Sequence, residues 1–175
     1  MENPPLFAPW RMKYLRSLGK IESDKCFLCE GASASGAAEK RDRLVIFTTA
    51  HTVVMMNRYP YANGHLLIAP TAHKGELDEL SDAESLDLAK QTAAAVNLLK
   101  RAQSAQGFNI GINLGRVAGA GLPGHLHQHV VPRWGGDVNF MSVVGETRIV
   151  PDALSQLYDE LTRVWNEIIA GTSVP

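Results

Sequence analysis

Cysteine is nearly absent: only Cys26 and Cys29 occur in 175 residues. That excludes a disulfide scaffold and fits a reducing compartment, where so close a pair points to metal or redox chemistry. Long apolar runs are missing too, since nothing approaches about eighteen consecutive apolar residues, the length needed to span a bilayer. The opening Met1-Glu2-Asn3-Pro4-Pro5-Leu6 has neither the basic start nor the apolar stretch of a signal peptide. The expectation is a cytoplasmic protein with no membrane partner. Neither sign of charge dominates, 17 Lys and Arg standing against 18 Asp and Glu, so no broad positive field exists to hold a polymeric nucleic acid. Internal repeats and biased tracts are also lacking. With 45% hydrophobic residues over this length, one domain spanning residues 1–175 is expected.

What is present reads as an α+β domain. Leu44 to Phe47, Thr52 to Met56 and Leu66 to Ala69 are rich in β-formers, and turn residues separate them, so they predict successive antiparallel strands. Ser81 followed by Glu84 is a capping-box signature, and it opens a helix over about 82–103 with Leu86, Ala89, Ala93, Val96 and Leu99 on one face. Gly107 is read as its stop. Phe108 to Leu114 and His125 to Val131 predict two further strands, and 152–169 a C-terminal helix with Leu154, Leu157, Leu161 and Trp165 on one stripe. Trp10 to Leu18 fits a short N-terminal helix. The small residues Gly31 to Gly36 read as a mobile surface loop. The sum is an antiparallel sheet of about five strands with one long central helix and a helix at the C-terminus.

The chemistry concentrates in His125-Leu126-His127-Gln128-His129. On a strand, alternate side chains share a face, so the histidines line up together. Such a row can supply a neutral nucleophile, a proton donor and a charge partner near neutral pH. A zinc site built on the same row is a rival reading, because His-x-His on a strand can place two nitrogens on one metal. The upstream loop from Gly115 to Gly124 favours phosphate chemistry: its glycines, Gly119 and Gly121 among them, let backbone N–H groups approach phosphate oxygens.

His125 through Arg133, reading His-Leu-His-Gln-His-Val-Val-Pro-Arg, resembles the signature of the histidine-triad family. Asn57-Arg58-Tyr59-Pro60 leading into Gly64-His65 and on to Pro70, with His73 beyond, is similar to the family's other landmark. The resemblance covers roughly residues 25–140, with helical extensions on either side. It is nearest to the branch holding the fragile histidine triad protein and bacterial diadenosine tetraphosphate phosphorylases, to which the run from Trp134 to Phe140 also contributes. Gln128 departs from the usual apolar residue. Gly121-Leu122 stands where relatives often present a Gln or Ser, which shifts phosphate binding toward backbone amides.

The resemblance implies an enzyme that cleaves the α–β phosphoanhydride of dinucleoside polyphosphates, with phosphate or water as acceptor. His127 would be the nucleophile, and His129 and His65 would flank the phosphates. Asn57 would bind the ribose, Asn113 the phosphate region, and Trp134 and Arg133 would reach a base or phosphate, although each Asn also suits a turn and Trp134 also suits the core. Cys26, Cys29, His73 and His125 would hold a structural Zn2+ with no open coordination position. A redox pair or two inert thiols are the other readings of the cysteines. A homodimer with sheets joined across a two-fold axis is implied as well. The alternatives are a zinc-dependent hydrolase with the triad as ligands and a non-catalytic nucleotide-binding module.

Overall fold

The computed structural model describes residues 26–137 and 154–171. The helix expected over residues 10–18, the first residues of the one expected from 152, and the end of the run to Phe140 lie outside them. In chain order the elements are α1 (Phe27–Ala32), α2 (Gly36–Asp42), β1 (Val45–Thr48), β2 (Thr52–Met56), β3 (Leu66–Pro70), a 3-10 turn (Leu77–Glu79), α3 (Asp82–Gln103), β4 (Gly107–Ile112), β5 (Gln128–Arg133) and α4 (Leu154–Ile169). The five strands form one antiparallel sheet in the order β1-β2-β3-β5-β4. The fold is therefore α+β, with the long helix and the C-terminal helix in place. The last strand inserts between β3 and β4, which sets the histidine segment inside the sheet and leaves β4 as an edge.

Alternation divides the sheet into two faces. Val54, Met56, Leu66, Ile68 and Val130 pack under α3 and α4, against Leu88, Leu98, Leu99, Leu157 and Leu161. Val45, Val53, Met55, Leu67 and Ala69 face the other way, against Leu28 of α1. Each of these fully buried aliphatic side chains contributes about 1.5–3 kcal/mol of transfer free energy. In α4 the expected stripe packs, with Leu157 and Leu161 buried and Trp165 stacked on Phe47 at 3.8 Å between ring centroids.

Five local expectations are corrected. The long helix begins as read, Ser81 and Glu84 capping one another, but it buries Glu84, Leu88, Ala95, Leu98 and Leu99, while Leu86, Ala89 and Ala93 face outward. An alanine-rich helix offers more than one apolar stripe, and the larger leucines decide which turns inward. Glu84 tolerates burial because Lys74 Nζ donates to it at 2.6 Å and Ser81 Oγ at 2.7 Å, and these bonds hold its carboxyl down at about 2. The helix ends on Ser104, in the left-handed region at φ 50°, and Gly107 instead opens β4.

The stretch from Gly31 to Gly36 is not a loop but the junction of two helices. Gly31 is buried where a Cβ would sit 3.2 Å from Met55 Sδ. Smallness there serves close packing. The histidine strand also starts later than expected, at Gln128, because both neighbours run out together: the last pairs are Ile68↔Gln128 and Ile112↔Gln128. His125 to His127 lead into the strand, anchored by Leu126 N donating to Lys74 O at 2.6 Å. The preceding strand is correspondingly 107–112 rather than 108–114.

Gly64 precedes His65 with φ +75°, and a Cβ there would meet Leu99 Cδ2 at 3.0 Å and Pro132 Cγ at 3.3 Å. Gly64→Ala is expected to destabilise the fold by about 1–3 kcal/mol, combining left-handed strain with crowding against the core. A urea midpoint unchanged from wild type would contradict that.

Candidate active site

Side-chain tautomers follow from the partners. His127 Nδ1 lies 2.8 Å from the carbonyl oxygen of His125, and an oxygen there can only accept, so Nδ1 carries the proton. The other ring nitrogen, Nε2, is left with its lone pair. His127 is 7% exposed, and burial pushes its pKa below the ordinary histidine value despite that carbonyl. The ring is thus neutral, oriented and basic at Nε2.

His65 is almost fully buried, and its Nδ1 accepts from the backbone N–H of Tyr61 at 3.1 Å. Its proton therefore sits on Nε2, which donates to His129 Nδ1 at 3.0 Å. His129 in turn carries its own proton on Nε2, a tautomer that pairs with the Asn113 amide, 3.4 Å away, when that amide is turned to present its oxygen as acceptor. His65 is thereby hydrogen-bonded to His129, one ring back from His127. The His127 and His129 rings stand 5.2 Å apart in an edge-to-face arrangement, so the two lie side by side at one site. The Tyr61 ring stacks on His65 at 4.8 Å. Sequence reading passed over Tyr61, and its one signal was an aromatic side chain four residues before His65.

Burial first, and His127 second, hold His129 down at about 4 against an ordinary 6.5. Between those values the unfolded chain binds the proton and the folded protein does not, so stability is full above 6.5 and declines as pH falls toward about 4. Denaturant midpoints are expected to drop between pH 7 and pH 5, and His129→Asn should flatten that drop. A slope identical in both proteins would contradict the assignment.

The structure also brings Cys26, Cys29, His73 and His125 together, their ligand atoms all within 4.8 Å of one another. Cys26 caps α1, whose first turn carries Cys29 on the same side. His125 Nδ1 faces both sulfurs, 3.1 Å from Cys26 Sγ and 3.4 Å from Cys29 Sγ, and His73 Nδ1 is 3.2 Å from Cys29 Sγ. His125 Nε2 donates to Pro70 O at 2.8 Å, which leaves Nδ1 as a lone-pair donor aimed at the sulfurs. This donor set fits a divalent soft-to-borderline metal. Without one, burial and the neighbouring Cys26 push the Cys29 thiol up to about 11.

Among the described residues no second such group forms. The three triad histidines do not converge on one point: His125 turns to the cysteines, and the hydrogen-bonded rings of His127 and His129 turn elsewhere. A metal centre made of the triad is not assembled.

Most of the other expected residues find partners within the protein. Both ends of the Asn57 amide are engaged within the protein, the nitrogen with His65 Nδ1 at 3.3 Å and the oxygen with Tyr59 N at 2.9 Å. In the glycine loop the Gly119 N–H closes a turn onto Arg116 O at 3.0 Å, and Gly121 follows the buried Ala120. Trp134 is not brought to the histidines: its indole N–H donates to Gln103 O at 2.9 Å at the end of α3, and the ring packs against the core under that helix. Arg133 is paired with Asp137 and Asn109.

A family model described as the HIT domain matches residues 38–136. AP-4-A phosphorylase of Mycobacterium tuberculosis is 36% identical over 168 residues, which cover 91% of this chain and 83% of that protein. The asymmetrical bis(5'-nucleosyl)-tetraphosphatase of Schizosaccharomyces pombe is 32% identical over 51% of this chain and 48% of that protein. Among solved structures, a Zn-bound histidine triad family protein from Mycobacterium smegmatis superimposes with a TM-score of 0.60 at 25% identity, covering 84% of this chain and 97% of that one.

Proposed function

The chain belongs to the HIT domain family, and from that premise we propose that it is a nucleotidyltransferase that phosphorolyses dinucleoside polyphosphates through a nucleotidyl group carried on His127. The observation that supports this reading most is the Nδ1–H of His127 bound to the His125 carbonyl, which frees Nε2 to attack. Nε2 forms a bond to the α-phosphorus while the bond to the bridging oxygen breaks. That oxygen leaves with the electron pair as part of a nucleoside polyphosphate. The ring, now cationic, keeps its proton on Nδ1, donated to the His125 carbonyl, and neutral His129 with Asn113 lies beside the oxygens on which charge builds. His65 holds His129 in the donating tautomer. In the second half, an acceptor oxygen attacks the same phosphorus and restores neutral His127.

Inorganic phosphate is the acceptor in this reading, supported by the 36% identity over most of the chain to an AP-4-A phosphorylase. With diadenosine tetraphosphate, turnover should require phosphate and release ADP and ATP. Equal turnover without phosphate, releasing AMP and ATP, would make the protein a hydrolase. Asn57 and Asn113 are proposed to meet the ribose and the phosphates on either side of His65 and His129, with the backbone of the Gly119 to Gly121 turn close by. Trp134, tied to α3, is proposed to act only through the turn after β5.

Zn2+ is proposed at Cys26, Cys29, His73 and His125, supported by the geometry of the four donors and by the Zn-bound relative. Bound there, it supplies structure and no open coordination position. It would tie α1 and the His73 segment to the residue two before the nucleophile. A homodimer joined through β4 is proposed as well, since that edge strand exposes Ile110. One domain and a cytoplasmic setting complete the reading, which is in keeping with the lack, among the described residues, of any helix long and apolar enough to cross a membrane.

A further inference from the structure

Gly111 is a glycine that the fold does not ask for. It lies within the edge strand β4, opposite His129 in the register, its φ is not in the left-handed region, and a Cβ built on it would meet nothing within 4 Å. Glycine inside a strand weakens it, and where backbone conformation and packing make no demand, the close approach of another molecule is the remaining physical use.

The surroundings point the same way. Paired residues share a face, so Gly111 and Asn109 of β4 lie beside His129 and Val131 of β5 on the side that carries the histidines. Asn113 extends that row toward the His129 ring. These residues, with Tyr61 as a wall, line a shallow, open cleft of about 300 Å³. Tyr61 is 42% exposed, and its ring sits 5.8 Å from that of His129. The Asn109 oxygen accepts from Arg133 Nη1 at 2.9 Å, so its NH₂ is oriented as a donor. His129 lines this cleft and His127 does not; the Cys–His cluster lies beyond His127, on the side of His125.

We propose that this cleft receives the leaving half of the substrate: a nucleoside polyphosphate whose chain passes His129, runs over Gly111 with Asn113 and Asn109 as donors, and ends with its base against Tyr61. The nucleotidyl half then occupies the His127 side. This rests on the reading of the site as a dinucleoside polyphosphate phosphorylase, and it adds a location and a reason for preferring a substrate with a nucleoside at each end. The side chain missing at Gly111 is what gives the second half its room.

Gly111→Val tests this, because valine favours a strand and has space in the folded protein. Wild type and variant would be compared on diadenosine tetraphosphate and on adenosine 5′-phosphoramidate, whose leaving group is only ammonia, with melting temperature and oligomeric state followed in parallel. The expected result is a fall of at least about tenfold in kcat/KM for the dinucleotide, carried mainly by KM, with turnover of the phosphoramidate within about twofold of wild type. Equal losses on both substrates, or no loss on either, would overturn the inference. A wild-type protein that turned over neither substrate would instead count against the proposed function, and against this inference with it.

Discussion

Replacing His127 with alanine is expected to lower kcat for diadenosine tetraphosphate by at least about 10⁴-fold, the scale of loss when a covalent nucleophile is removed from a preorganised site. The size follows from what the residue does in the geometry. It presents a buried, neutral Nε2 whose direction is set by one backbone carbonyl, and no neighbour can substitute: His125 is turned to the cysteines and His129 is committed to His65. Nucleotide affinity should change by less than about tenfold, since this ring contributes little to ground-state binding compared with the reaction step. The variant also strands the His125 carbonyl in a buried place at a cost of about 1–3 kcal/mol, so its fold must be verified by melting. His65→Ala should be milder, raising the acid sensitivity of turnover by releasing the His129 tautomer. Full activity in His127→Ala would remove the nucleophile from the account.

Cys26→Ser is the second large effect. It takes one sulfur from a four-donor cluster that joins α1 to the His73 and His125 segments. Metal bound only by the folded state at about a thousandfold above its dissociation constant adds about 4 kcal/mol. For a chain of this size that corresponds to a fall in Tm on the order of 10 °C when binding is lost. Zinc measured by mass spectrometry should drop from about one per chain to well below it. Retention of full zinc with an unchanged Tm would show that the metal, if any, sits elsewhere. Because His125 belongs to that cluster and also provides the carbonyl that holds His127, kcat should fall along with stability.

Much of this was readable before any coordinates. Runs of β-formers between turn residues place β2 and β3, which are buried on both faces, and the capping box and apolar stripe place α3 and α4, all within a residue or two. The capping box at Ser81 is a local hydrogen-bond pattern and is legible for that reason. What escaped depended on contacts between distant segments. Which stripe of α3 turns inward is decided by leucines meeting the sheet and by Lys74 reaching Glu84, neither of which periodicity records. The strand start at Gln128 is set by where β3 and β4 stop pairing. Gly31 looked like a loop residue because smallness for packing and smallness for turning are the same letter in a sequence.

At the site, the residue types were legible and their division of labour was not. Three histidines at alternate positions predict one shared face, yet His125, His127 and His129 receive different partners from Pro70, their own backbone and His65. Trp134 follows the triad by only five residues, but strand alternation and the Gln103 carbonyl send it to the opposite layer. Gly111 held no signal until its register against His129 was known.

The central claim is a covalent bond between His127 and the nucleotidyl group, and rapid quenching reads it directly. The protein would be mixed with diadenosine tetraphosphate in the absence of phosphate, stopped in alkali within a turnover, digested, and its peptides weighed. The peptide containing His127 should gain the mass of one adenylyl group, and adding phosphate before the quench should discharge it as ADP. Continued turnover with no adenylylated His127 peptide at any quench time would contradict the account.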